Sequence, residues 1–269
     1  MKEEPAIHLG VPMMEMRSVA IGSLRDSGVR VAAGVDWTVQ SGDFWVVAGS
    51  QRSGKTDFLM TAGGLMPPEE GTYQFCGLHM PIFEDEQLPE RLRMGLVFDG
   101  GQLFNRLTVG ENVSLPLRYH RNLAPEAALE EVQPLLEALE LERTVQNRPM
   151  TLGRGFQTRV GLARALALQP EVLLLDNPLS GLDAHHTNWW LNLLDGLARG
   201  NELTNGRPLT MVVTTDDLRP WRGEDRKFAC LAGGRLLVLG GWENVERNTE
   251  PAVQILLRER RSGNIDRQT

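Results

Sequence analysis

The sequence predicts an α/β fold with a parallel sheet, and three observations carry that prediction. Residues 49–56 read Gly-Ser-Gln-Arg-Ser-Gly-Lys-Thr, a phosphate-binding loop between an apolar run at 43–48 and a helical segment opening at Asp57. Two apolar runs, 172–175 and 209–213, flank a helical segment at 188–197, the pattern of parallel strands buried on both faces. Residues 13–48 alternate apolar and polar with turns at Gly22, Ser27-Gly28 and Ser41-Gly42, which reads as antiparallel strands leading into the loop.

The remaining elements follow in order. After the first helix, Pro67-Pro68 and Gly71 mark a turn and 72–76 reads as a short strand, as does Gly-Leu-Val-Phe at 95–98. Leu129, Val132, Leu135, Leu136 and Leu139 recur at helical spacing and predict one helix over 124–141. A second amphipathic helix spans 158–168 and stops at Gln169-Pro170. Gly233-Gly234 punctuates a hairpin of 228–232 and 235–239. The result is one domain over 13–260 with a helical subdomain at about 112–168, and flexible ends at 1–12 and 261–269.

Composition narrows the function classes. A net charge of −7 argues against a general nucleic-acid binder. Two cysteines, Cys76 and Cys230, are too few for a disulfide framework or a zinc site. No run approaches the ~20 apolar residues of a membrane span, and the first residues carry acidic groups and no apolar core of a secretion signal. The expectation is a cytosolic chain that reaches a membrane only through a partner.

The loop carries the chemistry. Gly49 and Gly54 let the backbone of Ser50, Gln51, Arg52 and Ser53 curl so that amide N–H groups converge on phosphate oxygens. Lys55 supplies a cation for the β- and γ-phosphates, and Thr56 a hydroxyl for Mg²⁺. Asp176 ends the apolar run at 172–175, either as a plain turn former or, beside the loop, as a carboxylate for Mg²⁺ held through water.

With these residues in place, the chain resembles the ATP-binding cassette (ABC) ATPases over nearly its whole length. Ser180-Gly181-Leu182-Asp183 matches that family's D-loop. Four segments look most like the Mla-type ATPases, which power phospholipid and organic-solvent transport with an Mce-type partner. They are Gly101-Gln102-Leu103-Phe104 with 107–113 and 115–118, Gly161-Leu162-Ala163-Arg164-Ala165, residues 65–71, and 251–257. The resemblance implies a P-loop NTPase core with an antiparallel β subdomain and a helical subdomain. It also implies ATP and Mg²⁺ as cofactors, a dimer of ABC subunits (homo- or hetero-), and a membrane-spanning permease at the inner face of the membrane. Residues 103–117 would lie near the groove for that permease, as a docking patch or as core.

The same resemblance exposes departures. Asn177 stands where the family has a Glu that polarises the attacking water, and Thr215 stands at the switch His. Asp99 stands at the Q-loop Gln. Gly153-Arg154-Gly155 replaces the Ser-Gly-Gly of the signature, losing a phosphate-binding hydroxyl. No Tyr or Phe lies near Ile21, where an aromatic usually stacks on adenine, a loss of ~1 kcal/mol. Loss of a general base costs ~10²–10⁴ in rate. Asp99 is read either as a displaced base near Mg²⁺ or as a solvated loop carboxylate. Arg154 is read as a γ-phosphate ligand across a dimer or as a surface charge. His185-His186 carry no third metal ligand nearby, and Trp189-Trp190 read as core over a base-stacking platform. Three functions remain open: a slow ABC ATPase subunit, a non-catalytic nucleotide-gated scaffold, and a soluble ABC protein without a membrane partner.

Overall fold

The structure is a computed structural model that describes residues 11–26, 28–82 and 87–258; the ends expected to be flexible fall outside these residues except for Val11 and Pro12. The strands are β1 (Met14–Gly22), β2 (Arg30–Val39), β3 (Phe44–Ala48), β4 (Glu70–Phe75), β5 (Leu78–His79), β6 (Met94–Val97), β7 (Val172–Asp176), β8 (Thr210–Thr215), β9 (Lys227–Ala232) and β10 (Arg235–Gly240). The helices are α1 (Lys55–Ala62), α2 (Leu88–Arg91), α3 (Val109–His120), α4 (Pro125–Glu131), α5 (Gln133–Ala138), α6 (Arg154–Leu166), α7 (Ala184–Arg199), α8 (Trp242–Arg247) and α9 (Pro251–Leu257).

They form two sheets. The first, in the order β2-β1-β4-β5, is antiparallel, as the alternation over 13–48 predicts. The second has the order β10-β9-β3-β8-β7-β6; its strands from β9 to β6 run parallel and β10 closes one edge antiparallel. Because side chains alternate across a strand, the parallel sheet feeds two cores. Trp45, Val47, Leu174 and Val212 pack with Phe58, Leu59 and Ala62 of α1 and with Met14, Ile21 and Trp37 of the antiparallel sheet. Val46, Leu173, Leu175, Met211 and Val213 share the opposite core with residues of α3 to α7. Helix α1 thus lies between the two sheets, which fixes the loop before it.

Several helices differ from the sequence expectation; α6, for one, runs over Arg154–Leu166 where 158–168 is expected. The single helix over 124–141 is two, α4 and α5, joined at Val132. Pro134 is the reason: it has no N–H for the carbonyl four residues back, so it sits in the first turn of a new helix. Helix α3 lies where no separate helix is expected, yet a capping box announces it: the Thr108 hydroxyl accepts from the Glu111 N–H while Glu111 accepts from the Thr108 N–H. Helix α7 begins four residues before 188 because Asp183 caps it, accepting from the His186 N–H at 2.8 Å.

Parallel register sets the site. Ala48 pairs with Thr215, Thr214 with Asp176, and Leu175 with Val97, so the carboxyl ends of β3, β8, β7 and β6 lie in one row. Ligands of open α/β sheets bind along such an edge. The 49–56 loop, Thr215, Asp176 and the segment carrying Asp99 all leave from it.

Candidate nucleotide site

The loop is anchored at both ends. The Gly49 N–H donates to the Thr215 carbonyl at 3.0 Å, tying its start to β8. At its end Gly54 adopts φ 90°, and a Cβ there would stand 2.5 Å from the Val31 Cβ, so both conformation and space require glycine. Helix α1 then starts at Lys55 with no side-chain cap, leaving its first amides for an anion. The Lys55 side chain is buried, and Nζ donates to the Gly49 and Ser50 carbonyls at 2.7 Å each. The Ser53 hydroxyl is buried without a hydrogen-bond partner among the described residues. It lies against Gly49, 2.4 Å from where a Cβ on that residue would stand, and a buried orphan hydroxyl in a phosphate-binding loop fits a phosphate oxygen.

Thr56 and Asp176 are brought together at the loop. The Thr56 Oγ1 donates to Asp176 Oδ2 at 2.8 Å, and the Thr214 Oγ1 donates to Oδ1 at 2.7 Å. Asp176 is buried, so the carboxylate is fixed at both oxygens. A hydroxyl and a carboxylate are hard oxygen donors of the kind Mg²⁺ takes beside substrate phosphates. These residues fit that ion.

Around this cradle the substituted positions behave differently. Asn177 adopts φ 47°, a conformation that Asn tolerates, and its N–H donates to the Thr214 carbonyl and hydroxyl. A carboxamide there accepts no proton from water at neutral pH. Thr215 is 2% exposed, and its hydroxyl is spent inside its own turn, donating to the Asp217 carbonyl at 3.0 Å and accepting from the Asp217 N–H at 3.2 Å.

Asp99 and Arg154, two separate candidates in the sequence, are partners in the fold. The Arg154 Nε donates to Asp99 Oδ1 at 3.0 Å and its Nη2 donates to Oδ2, a two-pronged pair that raises the Arg154 pKa. The Asp99 carboxylate therefore has both oxygens engaged within its own chain. The Arg154 side chain is 64% exposed, so the pair is worth little to stability. A double-mutant cycle of Asp99→Asn and Arg154→Gln, read by denaturant unfolding, should give a coupling energy of about 1 kcal/mol or less. Gly153 caps α6 without a side chain, and Gly155 faces Leu182 of the segment 180–183.

The remaining candidates fall away from the cradle or beside it. Ile21 is buried in the antiparallel sheet. On the rim, the Leu24 N–H donates to Asp57 Oδ1 at 2.8 Å and Leu24 exposes an aliphatic side chain. Asp183 is exposed, its carboxyl held below the usual range by the His186 backbone N–H and ring. Among the described residues no cluster of three or more His, Cys, Asp or Glu side chains is placed to hold a metal. Trp190 is fully buried core, and Trp189 carries Arg159 stacked 3.6 Å from its ring, with Glu140 bonded to both. In the 103–117 segment Val109, Val113 and Leu117 are core while Phe104 is 56% exposed. Buried Asn112 presents it, accepting from the Phe104 N–H and donating to its carbonyl.

Comparisons with known proteins agree with this geometry. A family model described as ABC transporter matches residues 32–180. The methionine import ATP-binding protein MetN of Clostridium acetobutylicum is 30% identical over 246 residues, 91% of this chain and 74% of that one. The intermembrane phospholipid transport system ATP-binding protein MlaF of Escherichia coli strain K12 is 29% identical over 83% of this chain and 81% of its own. The ATP-binding cassette MJ0796, solved as a dimer in a post-hydrolysis state bound to ADP and Pi, superposes with a TM-score of 0.72 at 30% identity. That match covers 86% of this chain and 100% of that one. Among the described residues no helix is long and apolar enough to cross a membrane. On the family model over residues 32–180 and the 30% identity to MetN over 91% of its length, the chain belongs to the ABC transporter family.

Proposed function

We propose that this chain is the nucleotide-binding subunit of an ABC transporter assembly that holds ATP and Mg²⁺ at the 49–56 loop and hydrolyses ATP slowly or not at all. The observation that carries this reading is the Asp99–Arg154 pair. Binding needs the loop, Lys55, Thr56 and Asp176, all in place. Hydrolysis needs a base, and Asn177 is not one; the carboxylate among the altered positions, Asp99, has both oxygens hydrogen-bonded to the Arg154 guanidinium. Loss of the base alone costs ~10²–10⁴ in rate, and because catalytic groups act as a unit the further losses do not simply multiply.

The same observation favours a second form of the reading, a nucleotide-gated scaffold subunit in which bound ATP holds two subunits together without turnover. The cargo is read as lipid, on the segments shared with Mla-type ATPases and on the likeness to MlaF, while relatives for methionine import and macrolide export carry the same cassette. The partner is a membrane-spanning permease, with Phe104 on the docking side, and the chain works as a dimer at the inner face of the membrane. Co-purification of the tagged chain with a multi-span membrane protein supports this over a soluble role. Asp99→Asn should leave the single-turnover rate within about twofold of wild type; a loss of ~10² or more would make Asp99 the displaced base.

A further inference from the structure

Ser50 to Ser53 form a turn, closed by the Ser53 N–H donating to the Ser50 carbonyl at 3.2 Å. Its third residue is Arg52, with φ 64°. A positive φ at that place in a turn calls for Gly or Asn, and an L side chain with more atoms bears a conformational cost there. Such a conformation persists where the surrounding structure fixes the backbone, here the closed turn. The side chain is exposed, and among the described residues no hydrogen bond, ion pair or ring contact engages it. It stands on the tip of the phosphate loop, three residues before Lys55, and beside the orphan Ser53 hydroxyl. Lys55 is the inward cation of this loop and Arg52 the outward one.

We infer that Arg52 is a second phosphate-binding cation of the site, contacting the terminal phosphate of a bound nucleoside triphosphate. The inference rests on the proposed nucleotide site and adds a role that the loop motif does not assign. A guanidinium presents a fork of donors matched to phosphate oxygens and stays charged at any working pH. In a site without a base, such a contact retains the triphosphate and turns nothing over. The loop's conformational cost is thereby offset by tighter holding of the ligand.

The test is equilibrium binding of MgATP and MgADP to the full chain and to Arg52→Gln and Arg52→Gly, with melting temperatures of the nucleotide-free proteins. Arg52→Gln removes the charge and keeps the strain; Arg52→Gly removes both. Both variants should lose about tenfold in MgATP affinity, the scale of one charge-assisted hydrogen bond, and clearly less in MgADP affinity. Arg52→Gly alone should melt higher than wild type. Unchanged MgATP affinity in both variants overturns the inference, as does an equal loss for MgATP and MgADP, which would place the cation away from the terminal phosphate. A wild-type protein that binds neither nucleotide overturns the nucleotide site itself, a separate outcome from the two just named.

Discussion

Lys55→Ala should weaken MgATP binding by roughly 10²–10³-fold while leaving the fold intact. The ammonium is buried against the loop and bonded to the Gly49 and Ser50 carbonyls, so it is already positioned where phosphate charge would arrive. Removing one partner of a desolvated charged contact costs ~2–5 kcal/mol because the other charge is left without compensation. Stability should change by only about 1–2 kcal/mol, since two backbone carbonyls lose a donor at a solvent-accessible loop. Calorimetric titration with MgATP, beside a thermal melt of the variant, reads both effects. A variant that binds as tightly as wild type would remove the loop from the ligand's contacts.

Gly101→Ala should destabilise the chain by on the order of 3–5 kcal/mol, a value reached by few single substitutions. Gly101 has φ 72°, and a Cβ there would stand 2.2 Å from the Gln157 carbonyl oxygen, a backbone atom of α6 that cannot swing aside. Arg164 fastens the same loop to the same helix, donating to the Gly101 carbonyl at 2.7 Å and the Gln102 carbonyl at 3.1 Å. Gly100 is the internal control: its φ is 69°, yet no atom lies within 4 Å of an added Cβ. Gly100→Ala should therefore cost only about 1 kcal/mol, the left-handed term alone. Equal melting temperatures for the two variants would show that the loop does not rest on α6. The consequence reaches the site, because the loop that Gly101 seats carries Asp99 to Arg154.

The parts of this molecule legible in its sequence are those whose physics is local. The phosphate loop is eight consecutive residues, and its glycines, lysine and threonine declare their roles without knowledge of the fold. Asp176 required one further step, an apolar run long enough to be a buried strand, and the structure brings it to Thr56 at 2.8 Å. Helix α7 was visible by periodicity, but its start was set by the Asp183 cap. The break between α4 and α5 was written in Pro134 and masked by the regular leucines around it.

The Asp99–Arg154 pair was not legible. The two residues lie 55 positions apart, and each alone suggests a different chemistry. Only the folding of the loop after β6 onto the start of α6, permitted by Gly101, makes them neighbours. Thr215 shows the same limit: from sequence it is a missing histidine, while in the fold its hydroxyl is consumed by Asp217. The apolar 103–117 segment divides for a similar reason, since α3 turns Val109, Val113 and Leu117 into the core and leaves Phe104 outside.

Whether the site holds ATP without turning it over is decided by the chemical fate of ATP bound under single-turnover conditions. Protein in excess over radiolabelled ATP, with Mg²⁺, is separated from free nucleotide and the bound label is analysed over time. Label should be retained, with a requirement for Lys55, and should be recovered as ATP over a time in which an intact cassette completes many turnovers. Recovery of bound label as ADP and Pi within seconds would contradict this.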